Sequence, residues 1–281
     1  MNAPPHLDAG RIYRLAPFEE VVAELRKTFA TGPSIAPSQF VALSNDSGSA
    51  SGSGLGSGNL LVMPAVVGRF AGVNAMTVRS SGHQGLYVLF GDGGAVVATL
   101  DGAALTARRT PAVSALVTDA LARHDVRRLA VFGTGVQARE HVRAMRWIRP
   151  SLEQIDVVGR EPEATERFVA MLRGEGHPAV AASAADASSA DLICTCTSSP
   201  EPVLISEKVS PGTHINAVGS YQREVGEVLL GRAQVVDDLV ALARGEVLRN
   251  DELTIFLSVG TGVEDLVVAT LAARNAGLVD G

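Results

Sequence analysis

The chain has 281 residues, of which 46% are hydrophobic and 19% are charged, and its formal net charge is −6. This length fits two domains of ordinary size, and the lack of a long basic run argues against nucleic acid as the main partner. No apolar run reaches the length of a membrane span, and residues 1–15 lack the core of a signal peptide. These features predict a soluble cytoplasmic protein.

Cysteine and histidine usage gives no sign of a metal site. Cys194 and Cys196 lie two apart in an apolar run, without the C-x-x-C spacing or a neighbouring His cluster. We expect them to be small buried residues in a reducing compartment.

The first hundred residues predict an antiparallel sheet with one helix. Apolar residues at helical spacing indicate a helix over 18–29, and Asp92-Gly-Gly94 supplies a turn between two strands. The glycine-serine tract at 46–58 is expected to be a flexible connection, because it cannot bury a core. The strand-like runs are 39–43, 60–63, 72–78, 86–90 and 95–100.

From residue 111 onward the pattern changes to strands alternating with helices. Thr110 followed by Pro111 predicts an N-cap and the first position of a helix over 111–124. The alternation that follows predicts a parallel, doubly wound sheet. Its strand candidates are 129–132, 155–159, 179–182, 192–197, 214–218, 234–237 and 254–259, and its later helices include 162–173 and 263–275.

A glycine motif joins the first of these strands to a helix. Gly133 permits a sharp turn, Gly135 lets a pyrophosphate approach the backbone, and Ala138 is the third small residue, where helix and strand pack closely. Peptide N–H groups and the helix dipole at the start of the helix are suited to hold phosphate groups. The sequence therefore predicts a dinucleotide ligand and redox chemistry.

Five segments in the same order resemble the ornithine cyclodeaminase/mu-crystallin family. They begin at Leu61-Val-Met-Pro-Ala65, Leu100-Asp-Gly-Ala-Ala104, Phe132-Gly-Thr-Gly135, Gly212-Thr-His-Ile-Asn216 and Glu252-Leu-Thr-Ile-Phe256. The resemblance implies an α/β fold: a Rossmann dinucleotide-binding domain plus a mixed α/β domain for substrate binding and dimerisation. We assign residues 111–262 to the Rossmann domain, and 1–110 with the helix at 263–281 to the other.

The activity implied by this resemblance is hydride transfer between a nicotinamide cofactor and an amine-bearing or imine carbon. We expect an NAD(P)H-dependent oxidoreductase that reduces a small imine or keto acid, and a homodimer with no nucleic-acid or membrane partner. Two alternatives stay open. One is an ammonia lyase of the cyclodeaminase type with altered catalytic residues, and the other is a non-catalytic NADP-binding protein.

The same resemblance places the substrate and cofactor contacts. Arg109 matches the family's ligand for a substrate carboxylate, and a guanidinium suits this task because it can donate two parallel hydrogen bonds. The alternatives are a surface arginine or a partner of Asp101. The expected cofactor contacts are Thr110, Gly133, Gly135, Val136, Gln137, Thr197, Val218, Gly219 and Ser258.

The end of the second strand of this domain favours NADP(H) over NAD(H). An acidic side chain there would bind the ribose 2′-hydroxyl of NAD and repel a 2′-phosphate. The strand ends instead in Gly159-Arg160-Glu161, and Arg160 is able to pair with a phosphate. Asp156 comes too early in the strand to serve.

Three positions depart from the family pattern. Asn74 stands where the catalytic lysine is expected, and an amide cannot act as an ammonium acid or an amine base. No arginine occurs near Pro37-Ser-Gln39, where a second carboxylate ligand is expected, and Tyr221 replaces the aspartate used by cyclodeaminases. Cyclodeamination needs an acid/base pair, so reduction is favoured. Tyr221 is then a candidate proton donor, and His83 and Arg79 are alternatives.

Overall fold

The structure, a computed structural model, describes residues 3–43, 58–79, 82–219 and 224–280. Tyr221 and almost all of the glycine-serine tract lie outside the described residues. No helix in the described part of the chain is both long and apolar enough to cross a membrane.

In chain order the strands are β1 His6–Leu7, β2 Gln39–Ala42, β3 Asn59–Val67, β4 Phe70–Arg79, β5 Gly82–Phe90, β6 Val96–Asp101, β7 Arg128–Phe132, β8 Gln154–Val158, β9 Ala179–Ala181, β10 Leu192–Thr195, β11 His214–Ala217, β12 Gln234–Val236 and β13 Thr254–Leu257. The helices are α1 Ala9–Leu15, α2 Phe18–Ala30, α3 Gly102–Leu121, α4 Val136–Ile148, α5 Pro162–Gly174, α6 Ala184–Ala187, α7 Glu227–Leu230, α8 Leu239–Ala243 and α9 Gly262–Asn275.

One compact unit comprises residues 1–24, 32–109 and 261–281. Its sheet has the strand order β1-β6-β5-β4-β3-β2 among the described residues, with antiparallel pairing except between β1 and β6. Alternate side chains of β3 are buried, as one face of a sheet requires, and the start of α9 lies against the β3 backbone at Pro64. The register places Asn74 of β4 opposite Tyr87 of β5.

The other compact unit comprises residues 25–31 and 110–260. Its sheet has the order β12-β13-β11-β10-β7-β8-β9 over the described residues, and every pair is parallel. Strands β10 and β11 are buried at every position, which is typical of a parallel sheet covered on both faces. The predicted α/β class, with a doubly wound parallel sheet and a second α/β unit, is confirmed.

The predicted start of the third helix was wrong. Helix α3 begins at Gly102 rather than Pro111, and Pro111 lies inside it. The Asp101 carboxylate accepts a hydrogen bond from the Ala104 N–H at 2.9 Å, so the cap lies nine residues earlier than Thr110. Arg109 therefore lies in the middle of a helix and not beside its positive end.

The close approach of α9 to β3 predicts a strong effect of Gly262→Ala. A Cβ at Gly262 would overlap the backbone carbonyl of Pro64, whereas a Cβ at Gly174, in α5, meets nothing within 4 Å. We expect Gly262→Ala to lower the free energy of unfolding by about 1–3 kcal/mol, as overpacking does. Gly174→Ala should leave it unchanged or raise it by up to about 1 kcal/mol. Urea denaturation of both variants measures the contrast, and equal stabilities would contradict the packing described.

Candidate active site and cofactor-binding site

The turn between β7 and α4 requires glycine at residue 133. Gly133 has φ +113°, and its N–H donates to the Val158 carbonyl at 2.8 Å. A Cβ at this position would overlap the Cys196 carbonyl oxygen. The turn is therefore held against the ends of both neighbouring strands, β8 and β10.

Gly135 has a different role, because space around it is open. A Cβ built on Gly135 meets no atom within 4 Å, and no side chain caps α4 there. The first residue of α4, Val136, is 61% exposed, whereas Ala138 is fully buried. The start of α4 is thus open and has no side-chain cap, and the first N–H groups of a helix without such a cap are suited to binding an anion.

This turn lies at the switch point of the sheet. Strand β8 follows β7 on one side, and β10 lies on its other side. In open parallel sheets, ligands bind outside the carboxyl ends of the strands where the order reverses. Gly133 and Thr197 lie just beyond the carboxyl ends of β7 and β10, so the structure brings these two predicted cofactor residues to one edge.

The end of β8 has no room for an acidic side chain at residue 159. A Cβ at Gly159 would overlap the Thr165 hydroxyl and contact Thr134. Asp156 is buried and paired with Arg128 at 2.5 Å between carboxylate and guanidinium. Arg160 is 92% exposed, with its Nε 3.6 Å from a Glu161 carboxylate oxygen.

The remaining predicted cofactor contacts lie at strand ends. The Val218 N–H donates to the Thr195 carbonyl at 3.0 Å, and the buried Ser258 donates its N–H to Ala217 at 2.9 Å. Thr197 and Gly219 share one partner that sequence reasoning missed, the buried carboxylate of Glu224. It accepts hydrogen bonds from the Thr197 N–H and the Gly219 N–H, each at 2.6 Å.

A second buried polar cluster joins Asn74 and Arg109 in the unit that holds β4 and α9. The Arg109 guanidinium pairs with Glu264 through Nη1 at 2.8 Å and with Asp265 through Nε at 3.2 Å. The Asn74 amide donates to the other Asp265 oxygen at 3.0 Å, and also lies 3.3 Å from Thr106 Oγ1. Arg109 is therefore a buried partner of Glu264 and Asp265 and not a surface arginine, and its role toward a substrate stays a prediction.

The cluster holds two carboxylates against one guanidinium. Burial raises the pKa of Glu264 and of Asp265, although the Arg109 charge counteracts this in part. Burial, followed by the nearby Asp265 carboxylate, also raises the pKa of Tyr87 well above its usual value. The Asn74 Oδ1 atom and the Tyr87 hydroxyl are buried without a hydrogen-bond partner in the described part of the protein.

Sequence reasoning also missed Glu264 and Asp265. The signal was available, because two consecutive acidic residues stand in an apolar helix, and buried carboxylates need partners. Glu264 serves additionally in the capping box of α9 with Thr261. The prediction singled out Arg109 and Asn74 but not the acidic residues that join them.

The remaining candidates are His83, Thr110 and Tyr221. His83 is exposed on β5 and lines a shallow surface cavity with His6 and Asp101. Thr110 is buried in α3, directly after Arg109, and Tyr221 lies outside the described residues. The described residues contain no group of three or more His, Cys, Asp or Glu side chains suited to a metal ion.

Comparison with known proteins gives consistent matches along the chain. The model of the ornithine cyclodeaminase/mu-crystallin family matches residues 49–227. Ketimine reductase mu-crystallin of Mus musculus is 33% identical over 217 residues, which are 67% of this chain and 68% of that protein. The Δ1-pyrroline-2-carboxylate reductase of Bacillus cereus is 33% identical over 222 residues, 65% of this chain and 68% of that enzyme.

A solved structure shows the same fold over nearly the whole chain. An archaeal alanine dehydrogenase dimer with bound NAD superposes with a TM-score of 0.86, covering 97% of this chain and 96% of that one. The two sequences are 22% identical.

The excess of carboxylates predicts that stability falls as pH rises. The pKa values of Glu264 and Asp265 are raised in the folded protein, so the contribution of these two groups to stability is greatest below their unfolded values of about 4 and is lost as pH rises through the folded values. A tenfold change in a carboxyl group's acid dissociation constant on folding corresponds to about 1.4 kcal/mol. Urea denaturation from acidic to basic pH should show this decline in the wild type and a shallower one in Asp265→Asn.

The matched control is Asp237→Asn, because Asp237 is exposed in the other unit. It should retain the slope of the wild type. Identical slopes in all three proteins would contradict the assignment of the raised pKa to this cluster.

Proposed function

Because the chain belongs to the ornithine cyclodeaminase/mu-crystallin family, we propose that it is an NAD(P)H-dependent oxidoreductase that reduces the C=N bond of a small imine, or the C=O bond of a keto acid. The matches to the family model and to mu-crystallin confirm the resemblance found in the sequence. Its named relatives include a ketimine reductase and a Δ1-pyrroline-2-carboxylate reductase, and both names describe reduction at such a carbon.

The observation that carries this proposal is the glycine turn at the switch point. Gly133 is sterically required, the space beside Gly135 is open, and no side chain caps the start of α4. This combination fits a dinucleotide pyrophosphate. A bound nicotinamide supplies the hydride, and the chain has to bind the substrate, orient it and provide a proton.

For the substrate we propose a small molecule with a carboxylate, held by Arg109. The guanidinium is already paired with Glu264 and Asp265. A third carboxylate therefore binds more favourably when one of these two carries a proton, and affinity for such a substrate should fall as pH rises.

The proton for the new amine cannot come from Asn74, because an amide has no acidic proton in this range. We propose the Tyr221 hydroxyl as the donor, since an unperturbed phenol with a pKa of about 10 is protonated at neutral pH. The lyase alternative is less consistent with the chain, which contains two lysines, Lys27 and Lys208, and neither lies in β4.

We also propose that NADP(H) is preferred over NAD(H). Gly159 leaves no room for a carboxylate at the end of β8, and the Arg160 side chain is exposed there.

We propose a homodimer as well. The related archaeal alanine dehydrogenase is a dimer, and Val41 of the edge strand β2 is 54% exposed. Two free thiols, one of them buried, fit a cytoplasmic location.

Substitution of Arg160 tests the cofactor preference. Arg160→Ala should weaken NADPH binding by about tenfold, the value of one charge-assisted contact, and leave NADH binding unchanged. Fluorescence titration with both nucleotides measures this. The control is Arg167→Ala, because Arg167 is another exposed arginine of the same region. Stronger binding of NADH than NADPH by the wild type would refute the preference.

Paired imines test the substrate and the role of Arg109. The wild type should reduce Δ1-pyrroline-2-carboxylate with NADPH at a higher kcat/KM than Δ1-pyrroline, which lacks the carboxylate. Arg109→Lys retains the charge but loses the two-pronged geometry, so the ratio of the two kcat/KM values should fall about tenfold or more. Because the ratio is taken within one variant, a loss of folded protein cancels.

An unchanged ratio would remove Arg109 from carboxylate binding. Ammonia release without a change in nicotinamide absorbance would identify the lyase instead. NADPH binding without turnover of any imine or keto acid would identify a non-catalytic binding protein.

A further inference from the structure

Glu224 is a buried carboxylate that holds together three segments at one edge of the parallel sheet. It is 2% exposed. Its oxygens accept hydrogen bonds from Thr195, Thr197 and Gly219, and its own carbonyl accepts from the Val203 N–H at 2.9 Å. These donors belong to the end of β10, the loop after β10 and the end of β11.

The four hydrogen bonds divide evenly between the two carboxylate oxygens. Oε1 accepts from the Thr197 N–H at 2.6 Å and from the Thr197 hydroxyl at 2.5 Å. Oε2 accepts from the Gly219 N–H at 2.6 Å and from the Thr195 hydroxyl at 2.9 Å. Each oxygen thus has two partners. One is a backbone N–H, which can only donate a hydrogen bond, and the other is a hydroxyl, which can donate or accept one.

The fit around the carboxylate is close. A Cβ at Gly219 would overlap the Glu224 carboxylate carbon and one of its oxygens. Only glycine at this position leaves space for the Glu224 side chain. Among the described residues, no Lys or Arg side chain pairs with Glu224. Within the described part of the chain, its carboxylate oxygens are held by two peptide N–H groups and two hydroxyls, and hydrogen bonds to a carboxylate are among the strong ones.

We propose that Glu224 is the positioning residue for the nicotinamide end of the cofactor site. The proposal rests on the proposed function, which assigns Thr197, Val218 and Gly219 to that end. Glu224 already accepts hydrogen bonds from the Thr197 N–H, the Thr197 hydroxyl and the Gly219 N–H. These residues therefore shape the cofactor site through the positions of their backbones, which Glu224 fixes, rather than by donating these hydrogens.

The residues proposed for the adenine half and for the nicotinamide half of the cofactor follow different strands of the sheet. Strand β8, with Arg160 after it, lies on one side of β7, while β10 and β11 lie on the other. A dinucleotide that crosses the switch point has its two halves on opposite sides of it. A defect at Glu224 should consequently affect the nicotinamide half and spare the adenine half.

Glu224→Gln tests this directly. The amide NH2 group replaces one oxygen, so either the Thr197 N–H or the Gly219 N–H must face a second donor, whichever way the amide is turned. Binding of NADPH and of 2′-phospho-ADP-ribose, which lacks nicotinamide, is measured by calorimetry. We expect NADPH affinity to fall about tenfold, which corresponds to about 1.4 kcal/mol, because the displaced Thr197 or Gly219 backbone no longer fits the nicotinamide half, and the affinity for 2′-phospho-ADP-ribose to stay within about twofold.

Glu207→Gln is the matched control, because Glu207 is exposed in the same unit and should leave both affinities unchanged. If Glu224→Gln does not fold, Thr195→Val gives a second test, since it removes the hydroxyl donor to Oε2 at a fully buried residue that is not a predicted cofactor contact and retains the carboxylate. It should show the same selective loss for NADPH.

Three results would overturn the proposal. Unchanged NADPH binding would show that the Glu224 hydrogen bonds do not matter for the cofactor. Equal loss of affinity for both ligands would indicate a general structural role. Tighter NADPH binding would show that Glu224 obstructs the site. Failure of the wild type to bind either ligand would instead refute the proposed function, so the two failures are distinguishable.

Discussion

The parallel sheet can form its glycine turn only because residue 133 has no side chain. The Cys196 carbonyl occupies the space of a Cβ, and the Gly133 N–H is bonded to Val158. The Cys196 N–H in turn donates to Phe132 at 2.7 Å. The ends of β8, β7 and β10 are thereby fixed to one another, and Thr197 follows one residue beyond this contact. Glu224 extends the same fixed edge to β11.

Buried carboxylates are held in two different ways in this chain. Glu224 is held by neutral donors, two peptide N–H groups and two hydroxyls, which constrain the surrounding backbone. Glu264 and Asp265 share one guanidinium, and burial raises the pKa of each. An arrangement with complete hydrogen bonding is rigid, whereas one with more anions than cations is sensitive to protons and to ligand charge.

The sequence was sufficient for the alternation of strands and helices, the glycine turn and the family, because each depends on local spacing or on motifs in order. It was insufficient for the start of α3. There the Thr110-Pro111 pair imitates a helix start, while the Asp101 cap and the packing of the helix extend it through the proline. It also missed Glu224, Glu264 and Asp265, since a carboxylate in the sequence gives no sign of being buried until distant donors surround it.

Asn74 shows what the departure from the family pattern changes. Its amide donates a hydrogen bond to Asp265, so an uncharged side chain stands where the family resemblance leads us to expect a lysine. The Asn74 Oδ1 atom and the Tyr87 hydroxyl are then left without partners among the described residues, at a cost of about 1–3 kcal/mol for each buried unsatisfied group. Such a cost persists where a site has been altered for function rather than for stability. Under the proposed function, this cluster supplies a guanidinium but no amine base, so the proposal assigns it to holding and orienting a substrate for hydride transfer rather than to eliminating ammonia.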